Sequence, residues 1–174
     1  MEADGDGSSE RWRTRDGAEL TIRVIDAGDF DLEKAFIEGL SLQTGYRRLL
    51  SPRMPQADEI ARFTNIDRAR EMAWIAVAGE PGGETMCGVA RYVRTGDEAE
   101  WAIVVADAWQ GRGVGRKLLG KLVDSARGAG IRVLSDVAFS TNTGMHALAM
   151  RLGFTLRPEP GDATLTRMTL RVVR

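Results

Sequence analysis

Three glycines, Gly111, Gly113 and Gly115, alternate with other residues in the middle of the chain. Because glycine has no Cβ, the backbone amides of such a turn are open to a ligand. An amphipathic pattern begins inside the turn, so the unpaired amides of a helix N-terminus should point into the same space. Arg116 and Lys117 follow and add positive charge at the end of the helix dipole that favours anions. These residues predict a site for a phosphate or pyrophosphate group.

The spacing of the glycines indicates which of the known types of phosphate-binding loop this turn can be. A dinucleotide fingerprint needs G-x-G-x-x-G, and Arg116 stands where its third glycine belongs. A P-loop needs Ser or Thr directly after its lysine, and Leu118 follows instead. Both patterns therefore fail. The pattern that remains is Gln-x-x-Gly-x-Gly, formed by Gln110, Gly113 and Gly115.

Cysteine and histidine, which often carry chemistry, occur once each, as Cys87 and His146. One cysteine excludes an internal disulfide, and with one histidine the sequence offers no metal-binding cluster, so no metal is expected. No basic partner accompanies Cys87 in the sequence. We therefore interpret it as a small buried hydrophobic residue and not as a nucleophile. His146 lies off the apolar face of its predicted helix and is expected at the surface.

The composition is that of a soluble globular protein. The chain has 174 residues, of which 43% are hydrophobic and 28% charged, and its formal net charge is −1. It lacks the positive charge that would draw it to nucleic acid or to an anionic membrane. No apolar run is long enough to span a bilayer, and no signal-peptide pattern opens the chain. We therefore expect a cytoplasmic protein without nucleic-acid or membrane partners.

Two parts of the chain differ in composition. Residues 1–17 are rich in glycine, serine and charge, and apart from Met1 their one large apolar residue is Trp12. This composition predicts a disordered N-terminal tail. Residues 18–174 show hydrophobic periodicity throughout, with no internal repeat and no second boundary. They are predicted to form a single domain.

Hydrophobic periodicity predicts the elements that position the glycine turn. Their order is β-α-α-α-β-β-β-α-β-α-β-β. Segment 99–105 predicts a strand, Val114 begins a helix that runs to about Arg127, and segment 131–137 predicts the next strand. A strand-helix-strand crossover makes its two strands parallel, whereas the other strands are expected to be antiparallel. The glycine turn therefore lies inside the crossover, between a strand end and a helix start.

A second motif accompanies the turn. Asn142 is positioned to cap a helix that ends before Leu152-Gly153-Phe154. Together with the turn, these residues resemble the acetyl-CoA motif of the GNAT family of N-acetyltransferases, over about residues 91–156. The resemblance implies an α/β (α+β) GNAT fold. Such a fold has a mixed, mostly antiparallel sheet, a central parallel pair of strands that splays to hold acetyl-CoA, and helices on both faces.

The N-terminal half narrows the resemblance. Segments 16–17, 39–41, 46–47, 66–67 and 71–73 look like the catalytic domain of bacterial protein lysine acetyltransferases that silence acyl-CoA synthetases. That catalytic domain is often fused to a regulatory domain, and no segment of these 174 residues resembles one. The mode of regulation is therefore left open.

The resemblance also assigns roles to residues of the turn and of the strand before it. Backbone amides of the turn would bind the CoA pyrophosphate, and exposed backbone groups of the strand would pair with the pantetheine arm. Asn142 would reach CoA while it caps its helix. The expected cofactor-binding residues are Ile103, Val104, Val105, Gln110, Gly111, Arg112, Gly113, Val114, Gly115, Arg116 and Asn142.

Glu100 is the candidate general base, since similar acetyltransferases carry a glutamate at the start of this strand. An ammonium must lose a proton before its nitrogen attacks a thioester, and a nearby carboxylate can accept that proton. Backbone amides near Val105 would form the oxyanion site. Many family members place a tyrosine, which serves as the general acid, where this chain has Ala149. The sequence names no other acid.

These residues imply an acetyl-CoA-dependent N-acetyltransferase that transfers the acetyl group directly in a ternary complex. The expected acceptor is a protein lysine, in an acyl-CoA synthetase. Two alternatives stay open at this point. One is acetylation of a small-molecule amine, and the other is a CoA-binding sensor without turnover, which the alanine at position 149 would allow.

Overall fold

An eight-stranded mixed sheet organises this computed structural model, which describes residues 9–50 and 53–172. The strands are β1 (Glu10–Arg13), β2 (Glu19–Val24), β3 (Glu71–Ala78), β4 (Thr85–Thr95), β5 (Glu98–Val105), β6 (Val133–Phe139), β7 (Thr155–Glu159) and β8 (Asp162–Arg171). The α-helices are α1 (Phe30–Glu38), α2 (Leu42–Leu49), α3 (Ala57–Thr64), α4 (Val114–Gly128) and α5 (Thr143–Arg151). Apart from the added β1, the element order is the one predicted from periodicity.

The strands lie in the order β1-β2-β3-β4-β5-β6-β8-β7, and only β5 and β6 run parallel. Their ladder is short and pairs Glu98–Glu100 with Val133–Ser135. Beyond it, β5 continues to pair with β4, and β6 with β8. The two central strands therefore separate, which confirms the predicted mixed sheet with a splayed parallel pair.

Helices cover both faces of the sheet. On one face α4 buries Leu118, Leu119 and Leu122 at 0% exposure, because its apolar residues recur with helical spacing. On the other face Phe36 of α1 packs with Val104 and other residues of the central strands. The arrangement fixes β5 between two cores. No helix among the described residues is long and apolar enough to cross a membrane.

The N-terminal segment differs from the expected tail. Glu10–Arg13 forms the edge strand β1, which pairs antiparallel with β2. Two physical reasons account for the strand. Trp12 packs against the core between α4 and the sheet, which we call the main core. Glu10 forms ion pairs with Lys117 and Lys121 of α4 at 2.6 and 2.8 Å. The part of the predicted tail at residues 1–8 lies outside the described residues.

Candidate active site

A cavity of about 390 Å³ lies where β5 and β6 separate. Its walls come from the end of β5, the glycine turn, α5 and α2, so the crossover and two other helices meet there. Its lining residues include Ile103, Val104, Val105, Gln110, Gly111, Gly113, Gly115, Arg116 and Asn142. Nine of the eleven residues expected to bind the cofactor thus line one cavity.

The glycine turn presents backbone amides to this cavity. Gly111 and Gly113 adopt φ of 74° and 93°, which side-chain-bearing residues rarely adopt. Gly113 is the N-cap of α4, and the first hydrogen bond within the helix runs from Lys117 N to Gly113 O at 3.1 Å. The amides before Lys117 consequently have no partner within the helix. At Gly115 a Cβ would come within 3.2 Å of Leu148 Cδ2.

Gln110 connects the turn to the strand before it. Its Nε2 donates a hydrogen bond to Val105 O at 3.0 Å and a longer one to Thr44 Oγ1 at 3.4 Å. The side-chain amide thus takes up the carbonyl of Val105. Any ligand that pairs with the end of β5 there must use other backbone groups.

Two of the expected cofactor residues direct their side chains away from the cavity. The Arg112 guanidinium lies 4.7 Å from the centre of the Trp109 ring and 3.4 Å from the Asp16 carboxylate. Val114 is 1% exposed and packs in the main core, where its helix faces β4. For both residues only backbone atoms remain for a ligand. The motif does not predict the direction of either side chain, because a residue that binds the ligand through its backbone can point its side chain elsewhere.

Asn142 caps α5 as predicted. Its Oδ1 accepts a hydrogen bond from Met145 N at 3.3 Å, and the residue is 9% exposed. Ala149 is fully buried in the main core and does not line the cavity. His146, expected at the surface, is half-buried, and its Nε2 has no hydrogen-bond partner among the described residues. The helix therefore places no acid at position 149.

Helix α2 covers the splay. The Asp107 carboxylate accepts hydrogen bonds from Ser41 N at 2.9 Å, Ser41 Oγ at 2.7 Å and Thr44 Oγ1 at 2.8 Å. These bonds, led by that of the Ser41 amide, lower the pKa of Asp107. The Tyr46 ring stacks on Phe139 of β6 with ring centroids 5.0 Å apart. The helix is thereby attached on both sides of the splay.

Glu100 lies in a groove of about 490 Å³ next to the cavity. It is exposed and is the last residue of β5 that pairs with β6. Arg48 of α2 lines both the groove and the cavity, so the two are neighbours. Asp136 and Arg91 also line the groove. The structure thus puts Glu100 beside the cavity and not on its wall.

Asp136 is a second carboxylate in this groove. Its pKa is raised from 3.8 to about 6, mainly by burial and also by the negative charge of Glu100, while the Val137 amide and Arg48 oppose the shift. Burial in turn lowers the pKa of Arg48. The sequence signal was present, because Asp136 is the only charged residue within β6. Its neighbourhood depends on the long-range packing of α2.

A buried ion pair underlies the same groove. Arg91 Nη2 lies 3.2 Å from Glu33 Oε1, and Arg91 Nη1 donates to Phe63 O at 3.0 Å. Burial raises the pKa of Glu33 and lowers that of Arg91 to about 10. Through these contacts β4 holds α1 and the end of α3 in place beneath the groove.

Cys87 has the buried position expected of it. It is 0% exposed, and burial raises the pKa of its thiol to about 12. A thiol in this state is not a nucleophile near neutral pH. Among the described residues no group of three or more histidine, cysteine or acidic side chains is placed to hold a metal ion.

Comparison with known proteins agrees with this geometry. Residues 43–154 match the model of the acetyltransferase (GNAT) family. An acetyltransferase of Pseudomonas aeruginosa is 32% identical over 152 residues, which cover 86% of this chain and 82% of that protein. The acetyltransferase Pat of Mycolicibacterium smegmatis is 31% identical over 144 residues, or 81% of this chain. The match spans 43% of the length of Pat.

Solved structures show the same fold. The GNAT domain of S. lividans PAT superposes with a TM-score of 0.85 at 28% identity, covering 98% of this chain and 99% of that one. The acetyltransferase yncA of Salmonella typhimurium, solved with its cofactor acetyl-CoA, gives a TM-score of 0.69 at 26% identity and covers 88% and 94% of the two chains. The chain therefore belongs to the GNAT acetyltransferase family, whose enzymes use acetyl-CoA as cosubstrate.

Proposed function

We propose that this enzyme is a protein lysine N-acetyltransferase and that its acceptor is an acyl-CoA synthetase. The support is the similarity to proteins named Pat, which extends over 98% of the chain in the S. lividans structure. The segments outside the acetyl-CoA motif that resemble bacterial protein lysine acetyltransferases add to it. Acetyl-CoA and acyl-CoA synthetases are cytoplasmic, so the proposed location is the cytoplasm.

The observation that carries the proposed chemistry is the position of Glu100. It lies in the groove beside the cavity, at the last residue pair before β5 and β6 separate. A carboxylate there can take the proton of an amine that approaches through the groove, directly or through one water molecule. The neighbouring carboxylate of Asp136 adds negative charge that favours an ammonium group in the groove.

The proposed cosubstrate site uses the backbone of the turn and of β5. The amides of Gly113, Val114, Gly115 and Arg116 bind the pyrophosphate at the N-terminus of α4. Gly111 adopts the positive φ that the turn requires and that side-chain-bearing residues rarely adopt. The unpaired edge of β5 meets the pantetheine arm. Six further residues are assigned to contacts with the cosubstrate or to the support of those contacts: Ile103, Val104, Val105, Gln110, Arg112 and Asn142.

In the proposed reaction the deprotonated lysine nitrogen attacks the thioester carbonyl of acetyl-CoA. An amide near Val105 polarises that carbonyl. A C–N bond forms, the C–S bond breaks, and CoA leaves as a thiolate. Glu100 holds the proton that the ammonium loses before the attack, and the second proton, which the nitrogen loses as the amide forms, passes to solvent water. Thiols ionise near pH ~8.5, so the thiolate is a tolerable leaving group without the tyrosine that Ala149 replaces.

The test uses purified enzyme, acetyl-CoA, an acyl-CoA synthetase from the same organism and a panel of small amines. Release of CoA and mass spectrometry of the synthetase are the measurements. Acetylation of one synthetase lysine, absent with Glu100→Gln, is the expected result. Turnover with a small amine and none with the synthetase would overturn the protein acceptor in favour of a small-molecule amine.

A further inference from the structure

The turn between β1 and β2 reaches the glycine turn. Arg15 N donates a hydrogen bond to Arg112 O at 3.1 Å. A Cβ at Gly113 would lie 3.6 Å from Trp12 Cη2 and 3.7 Å from Arg15 Nε. The N-terminal hairpin is therefore in contact with the N-cap of α4, at the amides proposed to bind pyrophosphate.

Most of the cations around this N-terminus already have a partner. Lys117 and Lys121 share the Glu10 carboxylate, at 2.6 and 2.8 Å. Arg112 pairs with Asp16 at 3.4 Å and lies over an indole ring. Both carboxylates belong to the N-terminal segment. That segment consequently pairs two carboxylates with three of the five cations in this region.

Two cations remain, Arg15 and Arg116. Within residues 9–50 and 53–172 neither guanidinium has an ion-pair or hydrogen-bond partner, and both residues are exposed. Both line the 390 Å³ cavity, and both line an adjoining groove of about 560 Å³ between the hairpin and α4. The two guanidinium groups line the same space and repel each other, and an anion bound between them would offset this repulsion. Such an anion would lie where the cavity and the groove meet, at the N-terminus of α4.

We propose that Arg15, with Arg116, binds a phosphate group of CoA, so that the N-terminal hairpin is part of the cosubstrate site. This inference rests on the proposed placement of acetyl-CoA in the cavity. The phosphate is either the pyrophosphate or the 3′-phosphate, since both are anions at the nucleotide end. A guanidinium suits either, because its planar donors form charge-assisted bonds with phosphate oxygens.

The matched control is Arg13, the last residue of β1. Its guanidinium pairs with Glu19, and it lines the adjoining groove but not the cavity. Binding of CoA, 3′-dephospho-CoA and pantetheine is measured by calorimetry or competition, without any acceptor, for the full chain carrying Arg15→Ala, Arg15→Lys or Arg13→Ala. Loss of one charged hydrogen bond weakens binding by about 10-fold or more.

For Arg15→Ala we expect CoA to bind about 10-fold more weakly, Arg15→Lys to recover part of the loss, and Arg13→Ala to change binding less than about 2-fold. Pantetheine, which has neither phosphate group, should bind all variants alike. A loss that persists with 3′-dephospho-CoA assigns the pyrophosphate, and a loss that vanishes assigns the 3′-phosphate. Either result supports the proposal.

Unchanged CoA binding in Arg15→Ala would overturn the proposal, as would an equal loss with pantetheine. The second outcome would mean that the variant disturbs the cavity as a whole. Failure of the wild-type protein to bind CoA is a separate result, which would overturn the placement of the cosubstrate. Failure to acetylate a synthetase would leave this binding experiment intact.

Discussion

Glu100 and Ser135 form the last residue pair of the parallel ladder between β5 and β6. The strands separate directly after this pair, so the carboxylate at position 100, the proposed general base, lies where a groove meets the opening between them. Ser135 is in turn held by β8, because Arg167 Nη1 donates to its Oγ at 3.0 Å. The pair thus ties the position of the carboxylate to both halves of the sheet.

Glu100→Gln should lower kcat by about 10²- to 10⁴-fold, because the amide cannot accept the proton of the acceptor amine. CoA affinity should stay within about 2-fold, since Glu100 is not on the cavity wall. Release of CoA and equilibrium binding are the measurements. Glu98→Gln, on the same strand and also exposed, is the control and should keep full activity. Equal turnover in the two variants would rule out Glu100 as the base.

Asp136→Asn should stabilise the protein at neutral pH and not in acid. The pKa of Asp136 rises from 3.8 to about 6 on folding, so the folded state binds a proton more tightly than the unfolded chain. The free energy of unfolding therefore falls as pH rises from about 4 to about 6, by at most about 3 kcal/mol. The asparagine variant has no titrating group at this position, so its free energy of unfolding does not fall for this reason. Urea denaturation at pH 4 and 7.5 measures it, and parallel curves for the two proteins would contradict the prediction.

Gly113→Ala should cost about 1 to 2 kcal/mol of stability and weaken CoA binding several-fold. The residue adopts φ of +93°, where a Cβ is unfavourable, and it begins the run of open amides. Gly128→Ala, at the other end of α4 with open space around it, is the control. It should gain about 0.5 to 1 kcal/mol and leave binding alone. Thermal unfolding and calorimetry give both quantities.

Asp107→Ala should loosen α2. The carboxylate caps that helix through Ser41 and also holds Thr44, so the variant loses three hydrogen bonds. Amide hydrogen exchange across 42–49 should accelerate about 5-fold or more, for a loss of about 1 kcal/mol. The KM for acetyl-CoA should rise with it. Asp162→Ala, which removes a similar bond to Thr164 N on the far hairpin, should leave exchange in α2 unchanged.

The parts of the site that are local in sequence could be predicted. The glycine turn, α4 and the cap by Asn142 depend on residues within a few positions of one another, and the parallel pair follows from one crossover. Each of these features lies in the structure where periodicity and spacing predict it. Ile103, Val104 and Val105 were assigned to the cosubstrate by the resemblance to the GNAT family, and they line the cavity.

The remaining parts depend on contacts between distant residues. Ser41 and Asp107 are 66 residues apart, so no local pattern indicates that α2 covers the splay. The edge strand β1 forms because Trp12 packs against the core and Glu10 forms ion pairs with two lysines of α4. The composition of residues 1–17 does not indicate these long-range contacts. The side chains of Arg112 and Val114 point away from the cavity because Arg112 contacts Asp16 and Trp109, while Val114 packs in the core.

Burial of Cys87 has a practical consequence for every rate measurement on this enzyme. The product CoA carries a thiol, and colorimetric thiol reagents detect it in real time. The protein has no cysteine other than this one, which is fully buried and whose pKa is about 12. In the folded enzyme this thiol does not react with such reagents, so the enzyme itself adds no background colour to the signal from CoA.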